Sequence, residues 1–128
     1  MQTKKHVLVV DDDEAILHGT QLRVAHNGYD VSIAVNGVEA IDKAVSLRPD
    51  VILMDVRMPV MDGLEALAKL KADPRTTKIP VVIVSASPGD KHTSLESGTH
   101  FFLTKPYINQ AMLSAISSSL ASQTTVSA

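Results

Sequence analysis

The sequence predicts an α/β protein in which five short strands alternate with helices and form one parallel sheet. Two observations support this fold class: short apolar runs recur along the 128-residue chain, and segments with helical spacing separate them. Strand–helix alternation of this kind is typical of a parallel sheet that carries helices on both faces. A third observation concerns function, because four of the runs end at a polar residue that could carry chemistry.

The apolar runs define the strands. In chain order the five predicted strands are Val7–Val10, Val31–Val35, Val51–Met54, Val81–Val84 and Phe101–Thr104. The first, third and fourth contain no polar residue, as expected of strands that are buried on both faces of a sheet. The second contains a serine and is the weakest of the five.

Helical spacing fills the gaps between the strands and follows the last one. The clear helices are predicted at Glu14–Asn27, Val38–Leu47, Leu64–Ala72 and Asn109–Ser122. Gly28 and Pro49 follow the first two and are typical signals for the end of a helix. In the last helix Leu113, Ile116 and Leu120 form an apolar stripe at i, i+3 and i+7.

The segment between Ser85 and Phe101 differs from the other connections. Leu95 is its only large apolar residue, and a Pro-Gly pair lies near its start. The sequence therefore predicts a short or irregular fourth helix. At the other end of the chain, residues 123–128 are small and polar, so we expect one domain over residues 1–122 and a flexible C-terminal tail over 123–128.

Composition excludes several functions. The net charge is −2, with no basic stripe that could neutralise phosphates, so we expect no direct nucleic-acid binding. The absence of cysteine excludes disulfides, thiolate metal sites and cysteine nucleophiles. No apolar run approaches the roughly 18–20 residues of a membrane span. We therefore expect a cytoplasmic protein without membrane contact.

Chemically active side chains follow the carboxyl ends of the predicted strands. They are Asp11 and Asp12, Asp55, Ser85 and Lys105. Ligands of open parallel sheets bind outside these ends, so we expect the five side chains to share one site. Three neighbouring carboxylates need a proton or a cation, and oxygen ligands favour a hard ion such as Mg²⁺. A carboxylate beside Mg²⁺ can accept a phosphoryl group, whose charge an ammonium and a hydroxyl would stabilise.

Five motifs strengthen this interpretation. In chain order they are Val-Val-Asp11-Asp12, Met54-Asp55-Val-Arg-Met-Pro59, Met-Asp62-Gly63, Ser85-Ala86 and Lys105-Pro106. Together they resemble the CheY-like receiver domain of response regulators in two-component signalling, and the resemblance runs from Lys5 to Leu120. It implies a flavodoxin-like, doubly wound (βα)5 fold. It also implies a phosphoacceptor that takes a phosphoryl group from a phosphohistidine and then switches a partner-binding surface.

The resemblance implies a role for each matching residue around the metal. Asp55 matches the phosphoacceptor, and the resemblance implies that it is also a metal ligand. Asp12 matches the direct ligand of Mg²⁺, and Asp11 matches the acid that helps to hold the ion. Mn²⁺ could take the place of Mg²⁺. The main-chain carbonyl of Arg57 matches a third protein ligand.

Further matches concern the phosphoryl group and the switch. Lys105, Ser85 and Ala86 match the residues that contact the phosphoryl oxygens. Ser85 also matches a switch hydroxyl that moves on activation, and Phe102 matches the switch aromatic. The structural matches are Pro59, the turn Asp62-Gly63 that begins the third helix, and Pro106, which often follows a cis peptide bond in this family.

The resemblance also implies partners. These are a histidine kinase or histidine phosphotransfer protein as donor and an unidentified downstream protein as target, with the chain itself a monomer or weak dimer. The spacing of 20 positions from Ser85 to Lys105 is about two shorter than in chemotaxis-type receivers. The shortening falls in the fourth helix, which belongs to the usual partner-binding face.

Two alternatives fit part of the pattern. A Mg²⁺-dependent phosphohydrolase of the haloacid-dehalogenase type has a second Asp two residues after its nucleophile, whereas Arg57 stands at that position here. A degenerate receiver that serves only as a protein-binding module fits the unusual fourth helix but not the intact acids. We therefore expect a protein that catalyses only its own phosphorylation and dephosphorylation. Simpler explanations of single residues are a solvated N-cap at Asp11–Asp13 and a fixed, half-buried Phe102.

Overall fold

The computed structural model describes residues 4–126, and side chains are described as far as residue 121. The strands are β1 His6–Val10, β2 Asp30–Ala34, β3 Val51–Asp55, β4 Val81–Ser85 and β5 Phe101–Thr104. The helices are α1 Glu14–His26, α2 Gly37–Leu47, α3 Gly63–Ala72, α4 Asp90–Glu96 and α5 Asn109–Val126. The predicted alternation of five strands and five helices is thus confirmed.

The five strands form one parallel sheet in the order β2-β1-β3-β4-β5. The chain moves from β1 outward to β2 and then returns past β1 to β3, so the winding direction reverses between β1 and β3. This order is that of the flavodoxin-like doubly wound fold, and the reversal point is where such sheets bind ligands. The predicted fold class is therefore confirmed.

Two hydrophobic layers cover the sheet. On β3, Ile52 and Met54 belong to the cluster that includes α2 and α3, whereas Val51 and Leu53 belong to the cluster that includes α1 and α5. Both clusters are almost fully shielded from solvent. This two-sided burial explains why β3 and β4 contain no polar residue before their last position. Among residues 4–126, no helix is long and apolar enough to cross a bilayer.

The C-terminal helix differs most from its predicted bounds. It continues to Val126, four residues beyond the predicted domain end at residue 122, because no Gly or Pro interrupts the chain after Asn109. Residues 127 and 128 of the predicted tail lie outside the described residues. The side of α5 that packs on the sheet is also shifted, since Met112, Ala115 and Ile116 are buried while Leu113 is only partly buried.

The predicted short fourth helix is confirmed. Helix α4 has seven residues, and no side chain caps its N-terminus at Gly89. It ends before Gly98, which has a φ of 101°. Only Gly adopts that backbone conformation without strain, so the helix stops there. The one large apolar residue of the segment, Leu95, is 49% exposed and contributes little to the core.

Asp13 caps helix α1. Its carboxylate accepts hydrogen bonds from the backbone N–H groups of Ala15 (3.0 Å) and Ile16 (3.1 Å). We expect Asp13→Ala to lower the free energy of unfolding by about 1 kcal/mol, because these two donors lose their protein acceptor. Urea denaturation checks this value. An unchanged unfolding midpoint would show that water replaces the cap without cost.

Candidate functional site

The structure brings three acidic side chains together at the point where the sheet reverses its winding. Asp11 and Asp12 follow β1, and Asp55 is the last residue of β3. Each offers a carboxylate oxygen that lies within 4.8 Å of those of the other two. Within residues 4–126 this is the one group of three or more His, Cys, Asp or Glu that could hold a metal ion, and no histidine belongs to it.

The three carboxylates differ in how firmly they are held. Asp11 is 6% exposed and accepts a hydrogen bond from the backbone N–H of Asp13 at 2.9 Å. Asp55 is 8% exposed and accepts one from the N–H of Val56 at 3.0 Å. Asp12 is exposed to solvent. The site therefore has two fixed acids and a third at its mouth.

Lys105 provides the positive charge of the site. It follows β5, and its Nζ lies 3.3 Å from Asp55 Oδ2 and 3.6 Å from Asp11 Oδ2. Its backbone N–H donates to the carbonyl of Ser85 at 2.7 Å, which ties the lysine to the end of β4. The peptide bond between Lys105 and Pro106 is cis, as the resemblance implied.

Charge is unbalanced in this arrangement, because one ammonium faces three carboxylates. Burial raises the pKa of Asp55; Lys105 opposes this rise and Asp11 adds to it. Burial alone would lower the pKa of Lys105, but attraction by Asp55 and Asp11 outweighs it, so the pKa of the lysine stands above its usual value. A cation beside the three acids would relieve the remaining repulsion.

Ser85 is fully buried at the end of β4 and is hydrogen-bonded toward α4. Its Oγ donates to Asp90 Oδ2 at 2.6 Å and accepts from the backbone N–H of Ser87 at 3.0 Å. Ala86 is exposed and lines a shallow cavity together with Lys105. Both predicted phosphoryl-binding residues thus lie at the mouth of the sheet next to the lysine.

Phe102 lies on the strand next to Ser85. It pairs in register with Ile83, and Thr104 pairs with Ser85, so Phe102 and Ser85 point to the same face of the sheet. The ring is partly buried against the core cluster that includes α2 and α3. Whether it moves stays a prediction.

The turn between β3 and α3 packs against the backbone of Asp55. Gly63 donates its N–H to the carbonyl of Val56 at 2.8 Å, and an added Cβ would lie only 2.1 Å from the carbonyl oxygen of Asp55. Asp62 caps α3 by accepting from the N–H of Glu65 at 2.9 Å. The predicted Asp62-Gly63 turn is thus a close contact between backbones that only Gly permits.

The start of this turn is also tightly folded. The carbonyl of Pro59 accepts a hydrogen bond from the N–H of Met61 at 2.7 Å. Between them Val60 has a φ of 70°, which a β-branched residue rarely adopts, and its side chain is 81% exposed. This conformation returns the chain from the end of β3 toward α3 within a few residues.

Sequence reasoning missed residues on both sides of the site. Asp90 bonds to Ser85, and the sequence gives no signal for this because Asp90 lies in the segment without a clear helical pattern. Tyr107 lines a narrow cavity beside Asp11, Asp55 and Lys105. Burial raises the pKa of Tyr107, and a hydrogen bond with Thr20 partly offsets the rise.

Comparisons with known proteins agree with this geometry. The family model described as "Response regulator receiver domain" matches residues 7–117. Among curated proteins, the response regulator PleD of Caulobacter vibrioides is 46% identical over 111 residues, which are 85% of this chain and 24% of PleD. The chain thus spans only about a quarter of that relative's length.

Two solved structures are similar over nearly the whole chain. A CheY-like response regulator receiver domain protein from Methanospirillum hungatei has a TM-score of 0.88 at 30% identity, with 96% of this chain and 98% of that chain covered. The receiver domain of a sensor histidine kinase from Pseudomonas aeruginosa has a TM-score of 0.85 at 26% identity, with 93% and 99% covered. That structure is described with a magnesium ion coordinated in its active-site cleft.

The family match runs from the second residue of β1 into α5, so it includes every strand end that contributes to the site. The strand order and the clustered acids agree with it. From this convergence of sequence, fold and site we conclude that the chain belongs to the response regulator receiver domain family of two-component signalling.

Proposed function

We propose that this chain accepts a phosphoryl group on Asp55 from a phosphohistidine of a histidine kinase or histidine phosphotransfer protein, in a Mg²⁺-dependent reaction. The acquired phosphoryl group then alters a surface that binds a downstream protein. The observation that supports this most is the placement of Asp55 between Lys105, at 3.3 Å, and the acids Asp11 and Asp12. A candidate nucleophile, a counter-charge and a candidate metal site thus lie together at the carboxyl ends of β1, β3 and β5.

The donor set fits Mg²⁺. Carboxylate oxygens of Asp11, Asp12 and Asp55, with the main-chain carbonyl of Arg57, would hold the ion, and Mn²⁺ would suit the same oxygens. When bound, the ion supplies positive charge that offsets the acids and the phosphoryl oxygens. The exposed position of Asp12 leaves the ion access from solvent.

The reaction is a displacement at phosphorus. A carboxylate oxygen of Asp55 attacks, a new O–P bond forms, and the N–P bond to the donor imidazole breaks. The electron pair of that bond stays on the imidazole nitrogen. The ring leaves as neutral imidazole when its other nitrogen carries a proton, and otherwise it takes up a proton from solvent. Lys105 stabilises the negative charge on one phosphoryl oxygen, and the backbone N–H of Ala86 with the hydroxyl of Ser85 contacts another.

The switch would begin at Ser85. Its hydroxyl moves toward the phosphoryl group and leaves space on the face of the sheet that it shares with Phe102. Phe102 then turns inward, and the surface formed by α4, β5 and α5 changes for its partner. We propose that this occurs in the cytoplasm, where the ATP that charges a histidine kinase is found, and that the protein catalyses only its own phosphorylation and dephosphorylation.

A small phosphodonor tests the proposal directly. Incubation with acetyl phosphate and Mg²⁺ should add one phosphoryl group, as read by intact mass, and EDTA should prevent the addition. Absence of any adduct with Mg²⁺ present would contradict the phosphoacceptor role and favour a degenerate receiver. Sustained turnover of phosphomonoesters would favour a phosphohydrolase instead.

Asp12→Asn should weaken Mg²⁺ binding. Removing a residue that only hydrogen-bonds to a metal ligand typically weakens metal affinity by roughly tenfold or more. Removing the charge of a direct ligand should weaken it by at least as much. Isothermal titration calorimetry with Mg²⁺ measures the change. Asp13→Asn is the matched control, because Asp13 is the neighbouring acid and Asn can still cap α1, so this variant should bind Mg²⁺ much as wild type does. Equal Mg²⁺ affinity of wild type and Asp12→Asn would remove Asp12 from the ligand set.

A further inference from the structure

One carboxylate connects three parts of the chain beside the site. Asp90, the first residue of α4, accepts the hydroxyl of Ser85 on Oδ2 at 2.6 Å. The same carboxylate also accepts hydrogen bonds from Nη2 of Arg57. The distance is 3.2 Å to Oδ1 and 3.1 Å to Oδ2. It thereby joins the end of β4 and the β3–α3 loop to the start of α4. The Asp90 side chain is only 13% exposed.

The bond from Ser85 to Asp90 determines where the hydroxyl proton points. A serine hydroxyl has one proton to donate, and here Asp90 receives it. One lone pair of Ser85 Oγ is also engaged, since the N–H of Ser87 donates to it at 3.0 Å. A hydrogen bond to a carboxylate at this length is charge-assisted and stronger than one between neutral groups. Ser85 therefore cannot donate to a phosphoryl oxygen until it leaves Asp90.

Arg57 orients Asp90, the acceptor of the Ser85 hydrogen bond. Its guanidinium contacts both oxygens of Asp90, so the carboxylate stays oriented toward β4. Arg57 itself is 66% exposed, and the strength of the ion pair is therefore limited by solvent. Asp90 does not belong to the acidic trio that could hold a metal ion, which consists of Asp11, Asp12 and Asp55. The Asp90 carboxylate contacts the Ser85 hydroxyl and the Arg57 guanidinium, and no contact with Asp55 is seen among the described residues.

We infer that Asp90 is a positioning residue that retains the Ser85 hydroxyl in the unphosphorylated arrangement and so limits how tightly the acceptor site holds a phosphoryl group. The inference rests on the proposed role of Asp55. Some ligands bind only to a site arrangement that a small fraction of the molecules adopts. The apparent affinity for such a ligand is reduced in proportion to that fraction. Removal of Asp90 frees Ser85 and raises that fraction.

A purely structural role for Asp90 has to be separated from this one. Its negative charge lies in the first turn of α4 and favours the helix, and its backbone N–H donates to the carbonyl of Ser87 at 3.1 Å. A substitution could thus act by loosening α4 instead of freeing Ser85. The two effects differ in one respect, because only the second requires the Ser85 hydroxyl.

Binding of beryllofluoride, a phosphoryl mimic, in the presence of Mg²⁺ tests the inference on the full chain. Asp90→Ala should bind it about tenfold more tightly than wild type, the scale of one charge-assisted hydrogen bond. Asp90→Asn keeps the shape of the side chain but offers a neutral acceptor, so it should bind beryllofluoride roughly threefold more tightly than wild type. In a Ser85→Ala background, Asp90→Ala should change the affinity no further.

Glu96→Ala is the matched control. Glu96 is an exposed carboxylate on the same short helix, and its partner His92 is exposed as well. The variant should bind beryllofluoride as wild type does. Isothermal titration calorimetry gives the affinities, and urea denaturation of each variant gives its stability.

The outcomes distinguish the inference from the proposed function. If wild type does not bind beryllofluoride at all, the role of Asp55 is contradicted. If wild type binds and neither Asp90 variant binds more tightly, the positioning role is wrong while the phosphoacceptor role stands. An equal gain from Asp90→Ala with and without the Ser85 hydroxyl would show that Asp90 acts through α4, which also overturns the inference.

Discussion

Asp55→Asn should lose the phosphoryl adduct completely and yet resist urea better than wild type in metal-free buffer. The adduct is lost because the amide offers no anionic oxygen to attack phosphorus. Intact mass after incubation with acetyl phosphate and Mg²⁺ measures it. Asp42→Asn is a matched control, since Asp42 is an exposed acid on α2, and it should form the adduct normally.

The gain in stability follows from the direction of the pKa shift. Burial raises the pKa of Asp55 in the folded protein above its usual value. The unfolded chain then releases this proton at lower pH than the folded chain, so the folded state loses stability as pH rises through the usual value toward the raised one. At neutral pH the ionised carboxylate therefore destabilises the fold, and the amide removes that cost.

Urea unfolding in EDTA at pH 4 and pH 7 measures this difference. The midpoint of Asp55→Asn should exceed that of wild type at pH 7, and the gap should narrow toward pH 4. A lower midpoint for Asp55→Asn at pH 7 would show that the ion pair with Lys105 outweighs burial and the repulsion by Asp11.

Gly63→Ala should have the largest effect on stability. A Cβ at Gly63 would lie 2.1 Å from the carbonyl oxygen of Asp55 and 3.1 Å from Cα of Val56. Both contacts are with backbone atoms, so no side-chain rotation relieves them, and the end of β3 must move. We expect a loss of about 3 kcal/mol or more in the free energy of unfolding, together with weaker Mg²⁺ binding.

Gly89→Ala provides the comparison for this variant. Gly89 has a φ of −63°, and its Cβ would meet Ser87 Oγ at an ordinary 3.7 Å. We expect a gain of about 0.4–1 kcal/mol, because Ala restricts the unfolded chain. Urea denaturation of both variants tests the contrast. Similar midpoints for the two would show that the backbone contact at Gly63 yields without cost.

The features that the sequence predicted well are those imposed by burial. Central strands such as Val51–Asp55 have apolar side chains on both faces, so they stand out as uninterrupted runs, and a polar residue at their end marks the site. The edge strand β2 is only partly buried, and its observed bounds, Asp30–Ala34, begin one residue before the predicted ones. Its half-polar pattern gives a weaker signal.

Other features depend on contacts between distant residues and left no local pattern. Asp90 bonds to Arg57 across 33 positions, and its partner Ser85 belongs to another element. The extension of α5 to Val126 was missed because small polar residues are typical of tails and also permit a helix. The first feature depends on tertiary contacts, whereas the second shows that a run of small polar residues does not by itself distinguish a helix from a tail.

The two sides of the site around Asp55 are attached to the sheet in different ways. The side at Gly63 is fixed by a backbone contact, and the side at α4 is held by side chains. On the fixed side, the acceptor strand and the turn before α3 touch without intervening side chains. On the other side, seven-residue α4 is attached through side chains such as Asp90. Substitutions in α4 should therefore change how this helix is attached without moving the backbone that holds Asp55, the proposed phosphoacceptor.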